Sequence, residues 1–113
     1  MTKRALWRVF DRDEMVKLAQ ATREPGPEWL CPACGERKLR MYRYPSESLG
    51  EPTVVTYVWC GHCHRFHGET GRRPAEMKLE DPITPQDRAR YRHDQRALFD
   101  YLDQLWESGV LPR

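Results

Sequence analysis

The residues of this chain whose types and spacing could do chemistry are four cysteines in two pairs. Cys31-Pro-Ala-Cys34-Gly35 and Cys60-Gly-His-Cys63 flank a gap of 25 residues, Gly35 to Trp59. A Cys-x-x-Cys turn sets two sulfurs at adjacent corners of a tetrahedron about 2.3 Å from a metal ion, so each pair supplies half of a four-thiolate site. Gly35 and Gly61 permit the tight backbone such turns need. The gap is slightly longer than the usual four-cysteine zinc spacing; the turn-forming run from Pro45 to Pro52 accounts for the excess. The expected cofactor is therefore zinc, structural and one per chain. Iron would need the same four thiolates and stays open. A second Cys-x-x-Cys makes a thiol-redox pair the poorer choice, and two disulfides would require export.

The length and composition call for such a staple. The chain has 113 residues, the size of one domain, with nine prolines, seven glycines and 32% charged residues. A domain this small buries only about two thirds of its unfolded surface, so core area is scarce. The N-terminus carries no apolar stretch of the kind an export signal needs. No window approaches the ~20 apolar residues of a membrane span. A cytoplasmic location is expected, where thiols stay reduced.

The elements that must position the cysteines follow from pattern. Residues 4–10 are rich in strand formers. Asp11 opens Asp-Arg-Asp-Glu, a capping-box start for a short helix over 12–22 with Met15, Leu18 and Ala19 on one face. Pro25-Gly26-Pro27 ends it. Lys38 to Tyr44 and Thr53 to Trp59 read as an antiparallel hairpin with 45–52 as its loop, and a third short strand is expected at Arg65 to Gly68. Thr84 and Pro85 open a long helix over 84–109, with Tyr91, Leu98, Tyr101, Leu102, Leu105 and Trp106 as its apolar seam and Gly109 as its stop. The seam covers the sheet or pairs with another chain, and the sheet's need for a cover favours the first.

Two Cys knuckles joined by a β-hairpin resemble the zinc-ribbon class. The resemblance covers residues 29–70 and rests on Cys31, Pro32, Cys34, Gly35, Cys60, Cys63 and Phe66. The second half, Trp59-Cys-Gly-His-Cys-His-Arg-Phe66, looks like ribbons found ahead of some transposase catalytic domains; the likeness is a class pattern and implies no transposase chemistry for these residues. The implied fold class is α+β, a small three-stranded antiparallel zinc ribbon with a short N-terminal and a long C-terminal helix. The strand at 4–10 is a candidate extension of the ribbon. One domain spans 1–113, divided into 1–28, the ribbon 29–70, a linker 71–83 and the helix 84–109.

Candidate surfaces come from charge and aromatic placement. Net charge is only +2, too small to announce a nucleic-acid binder by itself. Arg37, Lys38, Arg40 and Arg43 nevertheless cluster, as do Arg88, Arg90, Arg92 and Arg96. On a strand Arg40, Tyr42 and Tyr44 share a face, and that basic-aromatic face is the best surface left for stacking bases and meeting phosphates. His62, His64 and His67 are expected to be exposed or to sit around the thiolates, because four cysteines leave no open coordination position. His93 is expected in solvent. Glu47 and Glu51 lack the adjacent-acid pattern of a hairpin-tip metal site. No catalytic constellation stands out, so the expected function is a non-enzymatic protein-interaction module, an adaptor or inhibitor. A nucleic-acid-binding ribbon in transcription or mobile-element regulation is the alternative; an enzyme using the histidines with a second metal ranks a distant third. Neither a membrane nor a small-molecule substrate is expected as a partner.

Overall fold

The runs of β-branched and aromatic residues flanking Pro45–Pro52 pair over their whole length. In the computed structural model, which describes residues 6–23, 26 and 28–112, β2 (Leu39–Ser48) and β3 (Glu51–Cys60) are antiparallel from Leu39↔Cys60 to Ser48↔Glu51. The expected eight-residue loop shrinks to a two-residue turn. Leu49 (φ 52°) and Gly50 (φ 79°) both take the left-handed conformation, whose twist matches the flanking strands of a hairpin. Pro45 is tolerated inside β2 because β2 is an edge strand.

β1 (Arg8–Val9) is followed by α1 (Arg12–Ala21), then β2 and β3, then β4 (Arg65–Arg72), α2 (Pro85–Ala89) and α3 (Gln95–Glu107). The sheet order is β1-β4-β3-β2, with β1 parallel to β4. The three-stranded antiparallel sheet expected from the sequence is thus replaced by a four-stranded mixed one, within an α+β chain. α1 and the whole β2–β3 hairpin lie between β1 and β4 in sequence, ample chain for a parallel return. Only residues 8–9 of the expected 4–10 strand pair; residues 1–5 lie outside the described residues, as do Pro25 and Pro27 of the expected helix stop. β4 also runs four residues beyond Gly68, into the expected linker.

α1 starts as its capping box dictates: the Asp11 carboxylate accepts from Glu14 N–H and the Glu14 carboxylate accepts from Asp11 N–H. Its buried face is narrower than expected, since Leu18 is buried while Met15 and Ala19 are exposed. The single long C-terminal helix divides. Thr84 caps α2 with Pro85 at its first position, but Asp94 accepts from Ala97 N–H and begins α3 afresh. The charged stretch 88–96 offers little apolar surface to hold a continuous helix on the sheet, whereas the seam after residue 97 does. Gly109 (φ 85°) ends α3 in a Schellman arrangement, with Gly109 N–H donating to Trp106 O and Val110 N–H to Leu105 O.

The sheet separates two cores. On one face α3 lays Leu98, Phe99, Leu102 and Trp106 over Tyr42, Trp59 and Phe66, with Trp7, Ile83 and Leu111 closing the sides. On the other, Phe10 and Leu18 meet Leu39, Val58, Cys31 and Cys60. Strand β1 runs between Trp7 in the first core and Phe10 in the second. Phe99, outside the seam expected from sequence, is fully buried and touches the rings of Trp7, Tyr57, Trp59 and Phe66. Phe99→Ala should therefore cost about 3–5 kcal/mol, read as a lowered urea midpoint at saturating metal.

Candidate metal centre

Each cysteine pair is positioned by a backbone turn at one end of the hairpin. Gly35 (φ 79°) completes the first turn, and Gly35 N–H donates to Cys31 O and Cys31 N–H to Glu36 O. The second turn leaves β3 at Cys60, with His64 N–H donating to Cys60 O and His64 itself at φ 60°. Before β2 begins its main run, Trp29 exchanges both backbone hydrogen bonds with Leu39. That bridge holds the segment leading into Cys31 alongside the start of β2, whose Leu39 faces Cys60 of β3 on its other side.

The four sulfurs come together. Cys31 Sγ lies 3.7 Å from Cys63 Sγ, Cys34 Sγ lies 3.6 Å from Cys60 Sγ, and the set falls within 4.8 Å of one another. The corners of a tetrahedron with metal–sulfur bonds of about 2.3 Å are about 3.8 Å apart. A disulfide requires about 2.05 Å, and all four cysteines are free. The donor set therefore fits one tetrahedral metal ion shared by both knuckles. Backbone N–H groups point at the sulfurs: Ala33 N to Cys31 Sγ at 3.4 Å, and His62 N and Cys63 N to Cys60 Sγ at 3.3 and 3.4 Å. Such donors favour the ionised sulfur that a metal needs.

Electrostatics make the same point. Cys31 and Cys60 are buried, and Cys34 and Cys63 partly so. Burial pushes the Cys31 thiol up to about 11 and drives Cys60 upward as well. Burial opposes the Cys63 thiolate too, but hydrogen bonds from the backbone and guanidinium of Arg65 outweigh it and hold that thiol below its ordinary value. Arg65 in turn pairs with Glu14 of α1 at 3.4 Å. Ionising the whole set in so buried a place requires a cation to share the charge.

The second knuckle is also tied to the α3 face. Arg40, only 4% exposed, reaches Asp103 at 2.7 Å, Glu107 at 2.9 Å and Glu28 at 3.2 Å. Burial disfavours its charge, yet these carboxylates raise its pKa above the ordinary value. Asp103 also accepts from Trp59 Nε1 at 2.9 Å. A Cβ on Gly61 would lie 2.5 Å from Arg40 Nη1 and 2.9 Å from Cζ, so only glycine lets the knuckle backbone close over the guanidinium.

The other sequence candidates scatter. Arg40 and Tyr42 are buried, because the face that looked like the best free surface is the one α3 covers. Tyr42 donates to Asp81 at 2.6 Å, and burial, then this bond, raises its pKa. Arg37, Lys38 and Arg43 are exposed. Tyr44, Arg88 and Arg92 converge with Tyr57 and Tyr91 on an open groove of about 390 Å³ between the sheet and the α2–α3 turn. Arg88 pairs closely with Asp81, donates to Ile83 O at 3.1 Å and stacks 4.2 Å over the Tyr44 ring. Of the histidines, His62 and His93 are exposed and the His64 ring lies tilted against Trp7, centroids 4.9 Å apart; the sulfur cluster includes none of them. The acids that fix the arginines, Asp81, Asp103 and Glu28, carried no motif. Tyr57 was legible as a strand aromatic, but its place beside Tyr42 follows only from the register. No protein-family model matches the chain, and neither a curated protein nor a solved structure does. No described helix is long and apolar enough to cross a membrane.

Two outcomes follow. Cys60→Ser should abolish stoichiometric metal binding and leave the sheet largely unfolded, because metal binding and folding share free energy in such sites; elemental analysis and circular dichroism of the same sample measure both. Gly61→Ala should cost about 1–3 kcal/mol and weaken metal retention against a chelator, since the knuckle must lift from Arg40.

Proposed function

We propose that this chain is a non-enzymatic protein-interaction module, an adaptor or inhibitor, whose four thiolates hold one structural zinc ion in the cytosol. Zinc suits the set because four cysteine sulfurs satisfy its tetrahedral preference with no position left for water or substrate. When bound, the ion supplies folding free energy and rigidity. The non-enzymatic reading rests on that closed ligand set.

A protein partner is supported above all by the groove. Three tyrosines and two arginines border it, and these are the residue types that concentrate binding energy at protein interfaces. The platform is rigid on both sides: the sheet is fastened by the thiolates, and α2 by the Asp81–Arg88 contact. The nucleic-acid alternative loses two of its leading residues, since Arg40 and Tyr42 face inward.

Affinity capture from native host lysate, with and without nuclease and followed by mass spectrometry, tests the partner class. The expected result is a specific protein retained in both arms. Capture that vanishes with nuclease, or oligonucleotide affinity that falls steeply with salt, would move the assignment to nucleic acid. One zinc per chain is expected in untagged, reduced protein; iron in its place would change the cofactor but leave the interaction reading standing.

A further inference from the structure

The groove between the sheet and the α2–α3 turn has a feature that discriminates among occupants. Its tyrosines have already spent their ring faces. Tyr44 lies under the Arg88 guanidinium at 4.2 Å. Tyr57 lies against Gly68, whose added Cβ would meet the ring at 3.0 Å, and stands edge-on to Phe99 at 5.5 Å. Tyr91 stacks on Tyr101 at 5.0 Å. A base needs an open aromatic face on which to stack; these contacts leave mainly ring edges and hydroxyl groups for an occupant. Ring edges carry the positive end of the aromatic quadrupole, and a phenol donates readily to a carboxylate.

The charges lean the same way. Arg88 is compensated by Asp81, and Arg90 has Asp87 at 3.7 Å. Arg92 borders the groove, is exposed, and has no acidic partner among the described residues. Gln95 adds an amide beside it. The Tyr57 hydroxyl is kept protonated well past neutrality, its pKa pushed up to about 12 by burial and by the Tyr44 hydroxyl.

We infer that this groove receives a carboxylate-bearing, Asp/Glu-rich segment of the partner protein, with Arg92 as the principal charge contact and the Tyr44, Tyr57 and Tyr91 edges as neutral donors around it. The inference rests on the protein-interaction reading and narrows it to an acidic peptide.

The test uses the full metal-loaded chain, isotope-labelled for amide chemical-shift mapping, and three probes: blocked hexaglutamate, blocked hexaglutamine and a ten-nucleotide oligothymidylate. Hexaglutamate is expected to shift amides of Tyr44, Arg88, Arg92 and Gln95, with hexaglutamine silent. Arg92→Glu should weaken that response about five- to tenfold at unchanged metal content and unfolding midpoint, while Arg92→Lys should restore most of it. Hexaglutamate acting elsewhere or not at all, or oligothymidylate occupying the groove in preference, overturns the inference. So does undiminished capture by Arg92→Glu of a protein that the wild type retains, a result that leaves the protein-interaction reading intact.

Discussion

The fold depends on bringing four sulfurs, two before the first strand of a long hairpin and two after its second, into one small volume at the hairpin's open end. Around the turns at Cys31–Cys34 and Cys60–Cys63 lies a thin core of Phe10, Leu18, Leu39 and Val58. A core of that size cannot by itself balance the conformational entropy of the segments it orders. Metal coordination would supply what apolar burial lacks, and through groups that burial alone would keep protonated. The thiolates are therefore both the strongest link in this half of the molecule and the one most dependent on something outside the chain.

The opposite face is stabilised in a different currency. Phe99 and its ring of aromatic neighbours form an ordinary packed core under α3. Set into its edge is a buried ionic group: Arg40 with Asp103, Glu107 and Glu28. Such pairs contribute little net stability compared with apolar replacements, and removal of one member is costly. Their effect here is geometric. Arg40 touches the Gly61 backbone on one side and α3 on the other, so the metal knuckle and the helix are held in a fixed relation.

The groove has its own organising acid. Asp81 organises its floor by accepting from Tyr42 and engaging Arg88, which then lies on Tyr44. These contacts fix the aromatic and guanidinium groups in place within the chain itself, and such preorganisation would lower the entropic cost of the association proposed above. Arg92, exposed, has no part in this network. The thiolate centre and the Arg40 cluster stiffen the same end of the sheet from its two faces.

The cysteine ligands, the hairpin, the capping box of α1 and the start of α2 were legible in the sequence because each is a local signal: a spacing of three, an alternating run, an Asp with a Glu three residues on, a Thr-Pro. Gly109 as the stop of the last helix belongs with them. The parallel docking of β1, the two-residue turn at Leu49-Gly50, the break at Asp94 and the burial of Phe99 were not legible. Each depends on which face of the sheet finds a cover, and strand alternation names two faces without saying which one is inside. Arg40, Tyr42 and Tyr44 share a face, as alternation requires. Only the packing of α3 decides that this face is the core, because the carboxylates that make a buried arginine tolerable arrive from residues more than sixty positions away in the case of Asp103 and Glu107.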